Sequence, residues 1–166
     1  MITRQMQPTI KTIPEKKLIG KRITMNFIEN KTSDLWRSFI SRKNEIKNKV
    51  NTDLISMRVY DASYSFENFN PAETFDKWAT LEVSNFDEVP ADMEAYTLAG
   101  GLYAIFDYKG LNTDTHIFDY IYGVWLPNNS EYDLDTRPHF EVMGAKYKNN
   151  DPDSEEEMWI PIKLKK

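Results

Sequence analysis

Tandem strand-helix-strand-strand modules are predicted for this chain: an α+β fold with one antiparallel sheet, two helices on one of its faces and a ligand cleft on the other. Three observations predict it. Short segments of alternating hydrophobicity recur along the chain, as strands require. Two segments instead carry apolar residues at helical spacing. The order of these segments also repeats. Gly20 and Gly101, Pro71 and Pro152, and Trp78 and Trp159 each stand 81 residues apart, and Tyr64 and Tyr147 stand 83 apart. A fixed spacing of this kind points to an internal duplication.

Within the first module, Lys17 to Phe27 reads as a strand. Asn30, Lys31, Thr32 and Ser33 then offer helix N-caps, followed by Leu35, Trp36, Phe39, Ile40, Ile46 and Val50 at helical spacing. Ile55 to Asp61 and Phe75 to Val83 are the next strands, joined by a turn-rich stretch from Ser65 to Asn70. The link from Asn85 to Asp92 is acidic, contains Pro90 and is expected to be a loop. In the second module, Glu94 to Tyr108 is strand material broken at Gly100-Gly101. Asn112, Thr113 and Asp114 cap a helix carrying Ile117, Phe118, Ile121, Val124 and Trp125, which Pro127 ends. Strands follow at His139–Met143 and Met158–Leu164. The expectation is one domain over residues 1–166, with repeats at about 8–84 and 94–164.

Composition narrows the function. With 166 residues and 40% hydrophobic content, the chain can bury a core. Its net charge of −5 disfavours a general nucleic-acid binder, whose phosphate contacts want a basic surface. The absence of cysteine excludes disulfides, thiolate metal sites and cysteine nucleophiles. Met1 to Met6 lacks the apolar stretch of a signal peptide, and no segment is long and apolar enough to span a membrane, so a cytoplasmic protein is expected. His116 and His139 are not at metal-ligand spacing, and Gly100-Gly101 lacks the pattern of a phosphate-binding loop. No cofactor or metal is expected.

Aromatic residues make up 13% of the chain, which suits a pocket for flat apolar molecules. Two C-terminal runs set carboxylates among such residues: His139-Phe140-Glu141-Val142-Met143 and Glu157-Met158-Trp159-Ile160-Pro161-Ile162. Alternation assigns Phe140, Val142, Met158, Ile160 and Ile162 to the core, and turns Glu141, Met143, Glu157 and Trp159 toward the cleft. The repeat adds Arg58, Tyr60 and Trp78. Aromatic walls with a carboxylate suit a lipophilic ligand, including a cationic one. Other readings stand beside this. Glu141 could pair with Arg58 or Arg137 or lie on a solvated strand face, and both tryptophans could simply fill the core. Glu155 and Glu156 read as a solvated turn.

Gly101 to Gly110, the Phe140-Glu141 strand and the closing Glu157–Ile162 strand resemble the GyrI-like small-molecule-binding domain, over about Pro8 to Lys163. This domain also forms the effector-binding part of AraC-family and MerR-family regulators, including multidrug-sensing ones. The resemblance implies tandem modules with a ligand cleft between them. It implies that Glu141 pairs with cationic ligands at the base of an aromatic pocket, and that Glu157 matches an acid at the start of the last strand. Similar proteins include hydrolases of strained electrophiles, which would give Glu141, Glu157 and Tyr103 catalytic roles, and gyrase-binding modules, which would imply a protein partner. About seven residues precede the stretch that carries the resemblance, so no helix-turn-helix before it and no direct DNA binding are expected.

Overall fold

The computed structural model describes residues 7–66, 68–112 and 114–166. The N-terminal hexapeptide and the Thr113 cap position lie outside the described residues. The elements run β1 (Thr9–Ile13), β2 (Lys16–Met25), α1 (Thr32–Ile40), β3 (Lys49–Val59), β4 (Phe75–Val83), β5 (Glu94–Leu98), β6 (Gly101–Lys109), α2 (His116–Tyr120), β7 (Tyr132–Leu134), β8 (His139–Met143) and β9 (Glu155–Leu164). Strand order is β1-β6-β9-β8-β3-β4-β2-β5, with β7 pairing the end of β9. Every pairing is antiparallel, and the sheet curls into a half-barrel. The α+β class, the antiparallel sheet and the two helices are as the sequence predicts.

The order is mirrored about the β3–β8 junction: β8-β9-β6 on one side faces β3-β4-β2 on the other. The outer strands are exchanged. β1 leads into β2 but pairs β6, and β5 leads into β6 but pairs β2. Each half therefore covers the edge strand of the other, which ties the halves together.

Local chemistry explains the helix limits. The Asn30 side chain accepts the Thr32 backbone N–H at 3.0 Å, and Asp34 lies in the first turn, where the helix dipole favours an acid. Leu35 and Phe39, one turn apart, bury against the β2/β4 half of the sheet. The periodic run continues beyond Ile40, but the helix does not. A 3₁₀ turn at Lys43–Glu45 delivers Ile46 to the same core, and Val50 already belongs to β3. The second helix is short because it widens into a π turn at Ile121–Trp125, where the Leu126 N–H reaches the Ile121 carbonyl at 2.9 Å. Both faces of the sheet are buried. On one, α1 covers Ala79, Leu81 and Val83, while α2 covers Phe106, Met158 and Ile160. On the other, the curl closes Met57, Trp78, Tyr103, Phe140 and Trp159 into a single apolar cluster.

Candidate functional site: an aromatic cavity over a buried charge cluster

β3 and β8 meet at the centre of the sheet, with Ser56 opposite Glu141 and Arg58 opposite His139. Alternation turns Arg58, His139 and Glu141 to the helix-bearing face, because their neighbours Met57 and Phe140 belong to the opposite cluster. Arg58 Nη1 donates to Glu141 Oε1 at 2.6 Å, and the two side chains are only 8% and 12% exposed. Lys77, the β4 partner of Arg58 in register, is buried as well. Burial works to raise the Glu141 carboxyl. The Arg58 and Lys77 charges, with the Arg58 hydrogen bond, outweigh it and hold that carboxyl below its usual range. Burial pushes Lys77 down to about 8. It also drives His139 well below the ordinary histidine range, with the Arg58 charge acting in the same direction.

Above this cluster lies a cavity of about 640 Å³. Its wall is formed by Phe27, Arg58, Tyr60, Tyr64, Phe66, Phe69, Phe118 and Tyr122, with Thr115, Asp119 and Gly123. The Arg58 guanidinium sits 5.0 Å from the Phe118 ring centroid. Phe66 stacks on Tyr122 at 4.9 Å and on His139 at 5.2 Å, and the Tyr122 hydroxyl is 2.6 Å from His139 Nδ1. The π turn places Tyr122 and Gly123 along this wall. A second cavity of about 330 Å³ shares Tyr60, Tyr64 and Phe66 with the first and reaches Asp135, Thr136 and Arg137.

The structure divides the residues predicted for the cleft. Arg58, Tyr60 and Glu141 come together on the helix-bearing face. Arg58 and Tyr60 line the large cavity, whereas Glu141 lines neither cavity. Its pairing with Arg58 is the ion-pair reading that the sequence left open. Met143 is buried opposite Leu54 and lines neither cavity. Trp78, Trp159, Glu157 and Tyr103 face the other way. Trp159 stacks on Phe140 at 5.0 Å and donates to Glu157 at 3.1 Å; Tyr103 donates to the Pro138 carbonyl at 2.8 Å. Glu141, Glu157 and Tyr103 therefore do not share one site, and the cavities open on the side that carries the helices.

The acid of β9 that shares a face with Glu141 is Glu156, not Glu157. It has the parity of Met158, the cross-strand partner of Glu141. Burial first, and the Glu141 charge second, raise its carboxyl to about 7. Phe66, Phe118, Tyr122 and Lys77 also escaped sequence reasoning. The parity of Lys77 against Trp78 could have found that lysine, but the aromatic wall is drawn from turns and from the second helix together and carries no single period.

The raised Glu156 value has a pH consequence. A folded-state value above the usual carboxylate 4.5 contributes stability that is complete below that pH and is lost as pH rises through about 7. Glu156→Gln is expected to gain about 2 kcal/mol on the wild type between pH 5 and pH 8, after allowance for partial exposure. Urea denaturation at the two pH values measures it; equal changes in both proteins would contradict the assignment.

This fold, with an apolar cavity at the junction of its halves, defines an effector-binding domain. The chain belongs to the Cass2 family, described as integron-associated effector-binding proteins, whose model matches residues 9–162. Similar solved structures include the following three. SAV2435 bound to tetraphenylphosphonium is 15% identical, with 95% of this chain and 94% of that chain covered and a TM-score of 0.63. An integron cassette protein from the mobile metagenome of Vibrio cholerae is 14% identical, with 95% and 97% covered and a TM-score of 0.64. The EcmrR C-terminal domain is 16% identical, with 96% and 99% covered and a TM-score of 0.66. At these identities the likeness is one of fold. No curated protein matches the chain in sequence. Among the described residues, no helix is long and apolar enough to cross a membrane.

Proposed function

We propose that this chain binds a lipophilic small molecule with flat aromatic faces in the larger cavity. The observation that carries the reading is the wall of Phe27, Tyr60, Phe66, Phe69, Phe118 and Tyr122 around about 640 Å³, a size suited to a drug-like ligand. Phe27 and Phe69 are 44% and 54% exposed, with rings 5.6 Å apart. Apolar surface left open in this way gains by covering a ligand. Membership of an effector-binding family supports the reading, as does the similar fold seen with tetraphenylphosphonium bound. The mirrored strand order supports descent from a duplicated module whose junction became the site.

Calorimetry with triphenylphosphine oxide, a neutral aromatic probe, tests it. Wild-type protein is expected to bind. Phe69→Ala should weaken binding about 3- to 10-fold, as loss of one aromatic contact implies, without lowering the melting temperature. No binding by the wild type, or an unchanged affinity in the variant, would count against this cavity.

A further inference from the structure

We infer that Arg58 sets the charge specificity of this cavity: its guanidinium occupies the carboxylate and aromatic cage that an organic cation would need, and so turns the site toward neutral and anionic lipophiles. The inference deepens the proposed function and rests on it.

An aromatic wall with a buried carboxylate behind it has the makings of a cation site. Here that place is taken by the chain itself. Arg58 lines the cavity, lies over Phe118 and donates to Glu141 at 2.6 Å. Tyr60 and Tyr122 line the same cavity. Lys77 is a second buried cation on the same face. A ligand cation at Glu141 would therefore be the third positive charge about one buried carboxylate in a poorly solvated place, with Glu156 beside it drawn toward its neutral form and the wall's Asp119 exposed to solvent. To reach Glu141 it would have to expel Arg58, whose charge would then lose its partner in a buried setting. A neutral or anionic lipophile needs no such exchange, because the guanidinium can stay in place and face it.

Tetraphenylphosphonium and tetraphenylborate share a shape and differ in the sign of their charge, so the ratio of their affinities isolates this effect. Calorimetry would compare wild type, Arg58→Met, Arg58→Gln and the double variant Arg58→Met/Glu141→Gln. Wild type is expected to bind the borate at least as tightly as the phosphonium. Either Arg58 variant should shift the ratio at least 10-fold toward the phosphonium, and the double variant should lose that shift. A wild type that prefers the phosphonium, or a ratio unmoved by Arg58 replacement, would overturn the inference. If Arg58→Met fails to fold, Arg58→Gln supplies an uncharged hydrogen-bond donor to Glu141 and carries the comparison; if neither folds, the wild-type preference decides it. Triphenylphosphine oxide separates the two levels. If it binds and the ion ratio does not move, only the role of Arg58 falls. If neither it nor either ion binds any form, the proposed function falls and the inference with it.

Discussion

Glu141→Ala is expected to destabilise the fold by about 3–5 kcal/mol. The substitution removes one carboxylate and leaves the buried guanidinium of Arg58 without its 2.6 Å partner, with Lys77 a second buried cation of the same cluster. Most of the loss is the desolvation of unpaired charge, not the value of the ion pair itself. It follows that Arg58→Met combined with Glu141→Leu should recover most of the stability, since a well-packed apolar pair needs no compensation. Guanidinium denaturation of wild type, the single variant and the double variant measures the recovery. A double variant as unstable as the single one would show that the pair contributes packing and not charge compensation.

Gly20→Ala should be still more damaging relative to its size. A Cβ at Gly20 would stand 1.9 Å from the Ala79 carbonyl oxygen and 2.8 Å from the Thr80 Cα. Both contacts are backbone atoms of the paired strand β4, and Ala79 and Thr80 are fully buried, so nothing can rotate aside. A loss of about 4 kcal/mol or more is expected, or failure to fold. Gly123→Ala is the internal control: an added Cβ there meets nothing within 4 Å, and helix propensity predicts a gain of about 0.5–1 kcal/mol. Thermal melts of the two variants side by side would test the contrast. Gly20 and Gly101 stand 81 residues apart, but their constraints differ. Gly101 has φ +150°, and a Cβ added there would stand 2.6 Å from the Arg137 guanidinium carbon.

Within strands, sequence reasoning was reliable. Phe75–Val83 and His139–Met143 coincide with β4 and β8. It failed between strands. Phe140 and Met158 were both assigned to one core face, yet Phe140 pairs with Trp159 and lies on the opposite side from Met158. The rule that apolar means core presumes a single buried face. In a curled sheet covered by helices outside and closed on itself inside, both faces are apolar, and parity within a strand no longer says which face is which. The same ambiguity placed Glu157 in the cleft and left Glu156 to solvent. Ile46 and Val50 fitted a helical period because short apolar runs fit several periods, and the chain breaks from the helix after Ile40.

The sequence by itself determined the α+β class, the order of the main elements and the presence of a carboxylate among aromatic residues at the end of the chain. These follow from periodicity and residue chemistry, which are local. Tertiary structure decided that β1 and β5 exchange partners, that Arg58 and Glu141 close on each other, and that the cavity wall is aromatic residues drawn from turns around 27, 66 and 69 and from the second helix. Those are contacts between residues distant in sequence. They were set by the curl of the sheet and by the need to pair buried charges, and neither leaves a period in the chain.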